Sequence, residues 1–507
     1  MSIDKIIEKG YGFAVYPSVK LYADKPDKKT GELKWGTLKN LLFGDYIKVV
    51  IKDGALVERV QGGKKWIQVR SRNANGYILP KDIQENRILE VNFVDIGQGD
   101  GCHLVTPDDE HYIIDAGMSD NMYRFLKWRF NTKKGKLAPP PFKAVISHPD
   151  SDHYQGFSHL FTKQDGNNQQ FTFSTIYHSG IVERGTGDKL GKTTGSEGIN
   201  YITDLLIKDD QLRAHLDTVT NGSLYERVMK KAKDNQPDVK FEALYREQAG
   251  APKYLHQSEN FSIEVLAPFV EKKSNKKALR YFKAKKGNTD DVGRTKNGHS
   301  VVLKVQMGNM RILLGGDLNP PAEDYLFEKY TEADIKAFRD ALEAADTATK
   351  KNKAQKKIEE VIAKARPFFQ VDFAKSCHHG SADFTSEFLQ AVNPLVTVIS
   401  SGDDEPHCHP RPDTLGTIGK FSRGNRSFIF STELMRSSKE FINIKDLRTA
   451  KGKERVVTVY GMINLRTDGN KAIMAQKLER RRGSQDWDIH QFEWNEALQT
   501  VEHIPED

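Results

Sequence analysis

The sequence predicts a mixed α+β protein with more than one domain. Residues 1–88 consist of short β-rich runs separated by glycine, asparagine and aspartate, a pattern typical of a small antiparallel β domain. From residue 89 onward, apolar runs of strand length are interleaved with helical segments. A chain of 507 residues is long enough to bury two or more hydrophobic cores.

The pattern divides the chain into three regions. Residues 1–88 are the β domain, and their end, with the runs WIQVR and GYILPKDI, resembles the end of a bacterial SH3-like barrel; a β-rich extension of the main domain is the alternative. Residues 89–430 are the main domain, and residues 431–507 are a C-terminal β-rich extension. We predict helical or basic inserts in the main domain at about 185–250, 271–296 and 331–366. The second is expected to be a loop or a frayed helix, and the third a solvated helical hairpin.

The composition is that of a soluble globular protein, with 37% hydrophobic and 29% charged residues. No apolar stretch approaches the roughly 18–20 residues that span a bilayer, and the start MSIDKIIEKG lacks the pattern of a signal peptide. We therefore expect a cytoplasmic protein without a membrane partner. The three cysteines are scattered, which argues against a disulfide framework or a zinc finger. The net charge of +8 mildly favours anionic partners.

Candidate metal ligands follow four apolar strands. The densest group lies in the run VISHPDSDHYQG at residues 145–156, and the others lie in YIIDAG, LLGGDL and SCHHGS. Loops at the carboxyl ends of neighbouring strands meet at one edge of a sheet, so we expect these side chains to converge. The candidates are Asp115, His148, Asp150, Asp152, His153, Asp317, His378 and His379.

The order of these motifs is similar to that of the metallo-β-lactamase superfamily, whose fold is an αββα sandwich. The runs FVDIGQGDGCHLV, SHPDSDHYQGF, NGHSVVLKV, ILLGGDL and CHHGSADFTSEFLQ resemble the metallo-β-lactamase-like domain of the ComEC competence proteins. This resemblance covers roughly residues 89–180 and 255–420. ComEC proteins also carry a membrane channel that this chain lacks, so the resemblance does not imply DNA uptake.

The resemblance implies a site for two divalent metal ions. It assigns the first ion to His148 and Asp150, and the second to Asp152 and His153. It makes Asp317 the bridging carboxylate. His378, or His379 as the competing choice, is implied to complete the second site. Asp115 is implied to orient a ligand or to steer the attacking water. Asp115, Asp152 and Asp317 are the implied catalytic carboxylates.

Two departures from the superfamily pattern affect the metal. Asp150 stands where a second histidine is more usual, and an added oxygen donor favours Mn²⁺ or Mg²⁺ over Zn²⁺. The third-strand histidine of the superfamily has no clear counterpart. His178 in IYHSG is near that place, although a packed or surface histidine is the alternative interpretation.

Further polar residues occupy motif positions that face the site in the resembling family. They are candidates for contacts to a phosphate or a leaving oxygen, with turn formation and capping as the alternative. They are Asn297, Ser300, Ser381 and His409. Gln98 and Asp100 in DIGQGD are predicted to stabilise the turn beneath the metals.

Taken together, the residues and the resemblance predict a metal-dependent hydrolase. The leading prediction is a phosphodiesterase or nuclease that uses a hydroxide activated by two ions, Mn²⁺ or Zn²⁺ or else Mg²⁺. The net charge and the lysine-rich insert at 271–296 favour a nucleic acid, or another phosphodiester, as substrate. A small-molecule phosphoesterase or lactonase of the same fold, and a non-catalytic binding or scaffold protein, are the alternatives. The SH3-like region is a candidate docking domain for a protein or peptide.

Overall fold

The computed structural model describes residues 3–27, 30–132, 138–163, 171–402, 408–432, 462–482 and 485–505. It confirms a mixed α+β architecture with several sheets. Part of the predicted C-terminal extension, residues 433–461, lies outside the described residues. Among the helices described, none has the length and apolar character needed to cross a membrane.

The N-terminal region is an antiparallel sheet with its own apolar core, preceded by helix α1 (Ile3–Lys9). Its strands are β1 (Tyr11–Ala14), β2 (Ser18–Pro26), β3 (Leu33–Leu42), β4 (Tyr46–Val49), β5 (Ile51–Lys52), β6 (Ala55–Leu56), β7 (Glu58–Gln61), β8 (Lys64–Ser71), β9 (Ala74–Ile78) and β10 (Ile83–Gln84). The order is β10-β1-β4-β8-β9-β2-β3 with β7 beside β8, while β5 and β6 form a separate ribbon. Alternate residues such as Ile67 and Val69 point into the core. The likeness to an SH3 barrel stays a prediction.

The rest of the described chain is built on two large sheets and one small one. Its strands are β11 (Leu89–Phe93), β12 (Gly101–Val105), β13 (His111–Ala116), β14 (Phe142–Val145), β15 (Phe173–His178), β16 (Thr193–Ser196), β17 (Ile199–Ile202), β18 (Lys240–Ala243), β19 (Lys253–Gln257), β20 (Phe261–Ala267), β21 (Glu271–Lys273), β22 (Lys276–Arg280), β23 (Val302–Met307), β24 (Met310–Leu314), β25 (Phe373–Lys375), β26 (Val396–Ile399), β27 (Phe428–Ser431), β28 (Ile463–Thr467), β29 (Lys471–Arg482), β30 (Gln485–Asn495) and β31 (Thr500–Ile504).

The ten-stranded sheet has the order β18-β15-β14-β13-β12-β11-β28-β29-β30-β31, and the seven-stranded sheet has the order β19-β20-β23-β24-β25-β26-β27. Strands β28 to β31, from the predicted C-terminal extension, therefore continue the sheet that begins at residue 89. The helices are α2 (Asn121–Arg129), α3 (Ser151–Tyr154), α4 (Phe157–Leu160), α5 (Asp209–Thr218), α6 (Leu224–Asn235), α7 (Val292–Gly298), α8 (Pro320–Thr331), α9 (Ile335–Glu343), α10 (Ala348–Phe369), α11 (Ser386–Val392) and α12 (Pro412–Phe421).

The two large sheets share one apolar core. Ile114 of β13 and Val145 of β14 belong to the same buried cluster as Ile312 of β24 and Val398 of β26. The neighbouring residue Ile113 points the other way, into a cluster with helices α2, α4, α5 and α6. On the seven-stranded sheet, the outward residues pack against α8, α10 and α11. Helices thus cover the outer face of each sheet.

The strand directions bring several loops to one edge. Strands β13, β14 and β15 run parallel, so the residues after each strand lie on the same side of their sheet. Strands β24, β25, β26 and β27 are also mutually parallel. Strand β12 is antiparallel to β13, which places the turn before β12 at the carboxyl end of β13. The polar motifs of the sequence occupy these loops.

The three predicted inserts contain ordered elements. Strands β21 and β22 form an antiparallel hairpin, so the prediction of a loop or frayed helix was wrong for residues 271–280. The short helix α7 ends the segment. The lysine-rich composition is typical of an exposed loop and gave no indication of the hairpin, in which Ala278 and Leu279 are buried. The predicted helical hairpin at 331–366 is formed by α9 and α10. The insert at 185–250 contains α5 and α6 together with β16, β17 and β18.

A buried ion-pair network attaches the N-terminal sheet to the main sheet. Arg466 of β28 lies 2.8 Å from Asp45 and 3.4 Å from Glu90 of β11. Arg72 and Arg129 complete the network at 2.6 Å from Asp45 and Glu90, respectively. Burial raises the pKa of both carboxyl groups, but the arginines outweigh it and hold each pKa below its ordinary value. The folded state therefore favours ionised carboxylates at this junction.

Candidate metal centre

The glycine turn before β12 packs directly on the motif after β14. The Asp100 amide donates to the Asp152 carbonyl at 3.3 Å. Gly99 has φ +99°, and a Cβ at this position would lie 1.8 Å from the Asp152 carbonyl oxygen. Only glycine permits both this backbone conformation and this close approach. The turn thus fixes the backbone that carries Asp152 and His153.

A buried group of four side chains can hold a metal ion. Asp100, His153, Asp317 and His379 each offer one donor atom, and these atoms all lie within 4.8 Å of one another. His153 Nε2 lies 3.2 Å from Asp317 Oδ2, and His379 Nε2 lies 3.1 Å from the same oxygen. The two Nε2 atoms are 3.3 Å apart. Asp152 approaches from the exposed side, with Oδ2 3.3 Å from His379 Nε2.

Oxygen acceptors hold both histidines by their other ring nitrogen. His153 Nδ1 lies 2.8 Å from Asp115 Oδ2, and Asp115 Oδ1 accepts the Ser147 amide at 2.8 Å. His379 Nδ1 lies 3.2 Å from Asp100 Oδ1 and 3.1 Å from the Ser400 carbonyl. A proton on Nδ1 of each ring is donated to Asp115 and to the Ser400 carbonyl, which leaves both Nε2 lone pairs directed at one point. Metal-binding histidines are usually oriented in this way. Asp100 Oδ1 lies within ion-pair distance of His379 but has no hydrogen-bond partner.

The donor spacing fits the dimensions of a metal site. Two ligands bound tetrahedrally to Zn²⁺ at about 2.0–2.2 Å lie about 3.3–3.6 Å apart. The contacts among His153, Asp317, His379 and Asp152 given above range from 3.1 to 3.3 Å, at or just below that spacing, apart from the 3.9 Å between His153 Nε2 and Asp152 Oδ1. One Asp317 oxygen, Oδ1, is buried without a hydrogen-bond partner. These side chains therefore match the spacing and the donor types of a divalent-ion site.

The local charge also favours a cation. Burial alone would lower the pKa of His153 and of His379, yet Asp317 and the carboxylates behind the rings raise both pKa values well above the ordinary value. Burial raises the pKa of Asp317, but the two histidines outweigh it and hold that pKa well below its ordinary value. The excess of negative charge thus retains protons on the imidazoles when no other cation is present. A divalent ion bound at this point would take the place of those protons.

Backbone strain is concentrated at the same loops. Asp115, His378 and His379 have φ values of 56°, 49° and 53°, in the left-handed region that non-glycine residues seldom occupy. Such conformations cost on the order of 1–3 kcal/mol each and cluster at functional sites. In the His378–His379 pair, the turn directs His379 into the buried group.

The resemblance assigns His148 and Asp150 to a first metal ion, and His148 Nε2 lies 3.7 Å from Asp150 Oδ2. Asp150 also has other partners. Lys296 of α7 forms an ion pair with Asp150 Oδ1, and it also donates to Glu183 Oε2 at 3.0 Å. The Asn297 amide nitrogen faces Asp150 Oδ2 at 2.7 Å. Burial raises the pKa of Asp150, but His148 and Lys296 outweigh it and lower that pKa to about 2. His148 Nε2 is buried without a hydrogen-bond partner.

A buried lysine compensates part of the negative charge. Lys375, at the end of β25, forms an ion pair with Asp100 and lies 3.9 Å from Asp317 Oδ1. It also donates to the Gly316 carbonyl at 3.2 Å. Burial lowers the pKa of Lys375, but Asp100 and Asp317 outweigh it and raise that pKa. Because one Asp100 oxygen holds Lys375 and the other faces His379, Asp100 supports the group from behind.

The remaining predicted residues divide between supporting and peripheral positions. The Ser300 hydroxyl accepts the Asp317 amide at 3.0 Å and lies 3.2 Å from His148 Nδ1, so it positions both residues. The His378 ring centroid is 6.3 Å from that of His379, and His378 does not belong to the buried group. The His409 ring centroid is 6.3 Å from that of His379. Ser381 makes a turn, in which its hydroxyl accepts the Asp383 amide at 3.2 Å.

His178 is buried, and its Nδ1 accepts the Gly180 amide at 3.1 Å. Desolvation lowers its pKa to about 4, so it is a neutral packed histidine. It does not belong to the buried metal-binding group.

Two lysines near the site, Lys375 and Lys296, were not predicted from the sequence, and Asp100 was predicted only to stabilise a turn. Lys375 stands within a buried strand whose other residues are Phe373 and Ala374. A lysine in such a strand is rare unless it is paired, and this was an available signal. Lys296 lay within a lysine-rich run that resembled a solvated loop, so nothing distinguished it.

Comparison with known proteins does not assign the chain to a family. No protein-family model matches the chain, and no curated protein shows significant similarity to it.

Proposed function

We propose that the protein is a metal-dependent hydrolase with the αββα sandwich of the metallo-β-lactamase superfamily, and that it cleaves phosphodiester bonds in nucleic acid. The observation that carries the proposal is the convergence of His153 Nε2, His379 Nε2 and Asp317 Oδ2 on one buried point. A bound divalent ion there would activate water and polarise a phosphoryl oxygen. The motif order described above supports assignment to that superfamily.

The chain's own residues fit distinct tasks in such a site. His153, Asp317, His379 and Asp152 would hold the ion, and Asp115 and Asp100 would keep the two histidine rings oriented. Lys375 would keep the Asp100 carboxylate ionised. Asp152 is the most exposed of the four ligands, with 19% of its side chain accessible, so it faces the side from which substrate arrives.

The surroundings of the site favour a polyanionic substrate. Lys285 lies 3.5 Å from Asp383, in the loop that follows His379, and 76% of its side chain is exposed. Arg294 of α7 approaches the same carboxylate at 3.5 Å. Two cationic side chains of the basic segment therefore lie beside the loop that follows His379, at the rim of the centre. Cationic side chains at such a rim bind phosphates with release of counterions, which favours a nucleic acid over a small neutral ester.

A substrate panel tests the proposal. Single-stranded DNA, duplex DNA, RNA and bis-(p-nitrophenyl) phosphate are incubated with the protein and Mn²⁺, Mg²⁺ or Zn²⁺. We expect metal-dependent cleavage of at least one polynucleotide, abolished by chelator and restored by added ion. Cleavage of the small ester alone would favour the small-molecule phosphoesterase. Metal binding without hydrolysis of any substrate would contradict the proposal and favour a binding protein.

A further inference from the structure

We infer that Arg294 is a substrate-binding residue, whose guanidinium binds a phosphate of the nucleic acid at the rim of the metal centre. This inference rests on the proposed function, because it names a residue that recognises the same substrate. Arg294 lies in the first turn of α7. Its side chain is largely buried, yet the described part of the chain provides it with little more than one distant carboxylate.

The side-chain donors of Arg294 form no hydrogen bond within the described residues. Its Nε is buried without a partner, and Nη1 lies 3.5 Å from Asp383 Oδ2. Charge-assisted N–H···O bonds are about 2.7–2.9 Å long, so this contact is an ion pair and not a formed hydrogen bond. Three other arginines also have a buried Nε without a partner, but each donates through an Nη atom to a carboxylate: Arg280, Arg423 and Arg466. Because unsatisfied buried donors cost free energy, we expect a bound ligand to supply the acceptors that Arg294 lacks.

Arg294 lies where three loops of the metal centre meet. Its carbonyl accepts a hydrogen bond from Asn319 Nδ2 at 2.9 Å, in the loop between β24 and α8. Asp383 belongs to the loop before α11. Three residues along the same face of α7, the Asn297 amide nitrogen faces Asp150 Oδ2 at 2.7 Å. Since 16% of the Arg294 side chain is exposed, an anion that enters between these loops can reach it.

The charges around the guanidinium favour an anion. Asp383 is shared by two cations, Arg294 and Lys285, each at 3.5 Å. Burial raises the pKa of the neighbouring Glu323 to about 8, so this carboxyl group is largely uncharged at neutral pH. Two cations and one ionised carboxylate leave an excess of positive charge, which attracts a phosphate. The planar guanidinium can bind two oxygens of one phosphate at once, which a lysine ammonium does not do.

A structural role and a substrate-binding role for Arg294 predict different effects on stability. If the ion pair with Asp383 is structural, replacing Arg294 by methionine destabilises the fold. If its donors are satisfied only by a bound phosphate, the same replacement leaves the unfolding temperature of the metal-free protein unchanged or higher. Arg339 is the matched control, since 22% of its side chain is exposed and its Nη2 donates to both oxygens of Asp324, at 2.7 and 2.6 Å. We expect Arg339→Met to lower the unfolding temperature and Arg294→Met not to lower it.

Nucleic-acid binding by the metal-free protein tests the inference, because a chelator prevents metal-dependent cleavage. Labelled single-stranded DNA, single-stranded RNA and duplex DNA, each of about ten nucleotides per strand, are titrated at several salt concentrations with fluorescence anisotropy as the readout. For the probe that the parent binds most tightly, we expect Arg294→Met to raise Kd about tenfold or more. The slope of log affinity against log salt concentration should fall by about 0.7–0.9. Arg294→Lys keeps the charge but not the planar geometry, so it should retain the slope and lose affinity. Arg339→Met should bind within about twofold of the parent.

The inference is overturned if Kd of Arg294→Met stays within about twofold of the parent, or if its unfolding temperature falls as far as that of Arg339→Met. Full affinity in Arg294→Lys would overturn the role given to the guanidinium geometry, and this variant decides the question if Arg294→Met does not fold. A parent that binds no probe would overturn the inference, whatever it hydrolyses. A parent that binds nucleic acid through Arg294 but cleaves none with any of the three metals would overturn the proposed function and leave the phosphate site intact.

Discussion

Replacing Asp115 by asparagine tests whether this residue orients a metal ligand. The carboxylate accepts on both oxygens, from His153 Nδ1 at 2.8 Å and from the Ser147 amide at 2.8 Å. Asparagine has the same shape but only one acceptor oxygen. If that oxygen keeps the Ser147 contact, the amide NH₂ faces His153 Nδ1, and the imidazole proton must move to Nε2. Nε2 then has no lone pair for the ion.

The expected loss follows from typical effects of such supporting residues. Removing an oriented carboxylate behind a histidine ligand lowers metal affinity by about 10–100-fold. With 1.4 kcal/mol for each factor of ten, this is about 1.4–2.8 kcal/mol. We expect Asp115→Asn to fall in this range, because the side chain is buried and water cannot replace the lost acceptor.

Competition with a chromophoric chelator measures the dissociation constant of the parent and of the variant. Asp372→Asn is the matched control: Asp372 is buried, accepts the Arg311 amide at 2.7 Å, and lies at the opposite end of β25 from the site. We expect its metal affinity to equal that of the parent. An affinity of Asp115→Asn within about twofold of the parent would refute the reasoning, because the His153 tautomer would then not matter.

Three further predictions address the ligand, the basic rim and the domain junction. Asp317→Ala should abolish hydrolysis in a folded protein, and measurable activity within a few-fold of the parent would remove Asp317 from the centre. Neutralising the insert lysines should reduce polynucleotide affinity, and the slope of log affinity against log salt concentration should fall by about 0.7–0.9 for each lost phosphate contact. Hydrolysis of bis-(p-nitrophenyl) phosphate should be unchanged. Parallel salt curves for parent and variant would contradict this prediction. The lysines are Lys272, Lys273, Lys276, Lys277, Lys283, Lys285 and Lys286. Arg466→Met should destabilise the fold by about 3–5 kcal/mol at neutral pH in denaturant unfolding, because Asp45 and Glu90 lose a buried partner. Both carboxyl groups have lowered pKa values in the folded state, so this stabilisation is present above about pH 4–5 and disappears in acid. The difference in unfolding free energy between parent and variant should therefore shrink in acid. A difference that stays constant with pH would contradict the assignment.

The strand-end pattern was sufficient to find most of the cluster. His153 and Asp317 come after the apolar strands β14 and β24, and Asp115 is the penultimate residue of β13. Parallel pairing places the ends of β13 and β14 on one side of the ten-stranded sheet, and the core shared with the seven-stranded sheet brings the end of β24 close to them. Sequence alone could not choose between His378 and His379. They are adjacent, and the choice depends on two left-handed backbone conformations that no local composition specifies.

The missed residues depend on long-range contacts. Asp100 and Lys375 form an ion pair but lie 275 positions apart in the chain, so neither residue predicts the other from the sequence. Lys296 was hidden because its partners Asp150 and Glu183 lie in different loops, and its own neighbourhood is rich in exposed lysines. The hairpin formed by β21 and β22 was missed for a similar reason, since Leu279 is buried by residues distant in sequence, among them Ile202 of β17.

The metal content of two neighbouring variants tests the central claim most directly. His379 lies 3.1 Å from Asp317 and belongs to the buried group, whereas the adjacent His378 does not. Each variant, His379→Ala and His378→Ala, is purified, loaded with Mn²⁺ or Zn²⁺, desalted and analysed for bound metal. We predict that His379→Ala loses the ion that the parent retains and that His378→Ala keeps it. Equal metal content in both variants, or loss only in His378→Ala, would contradict the account.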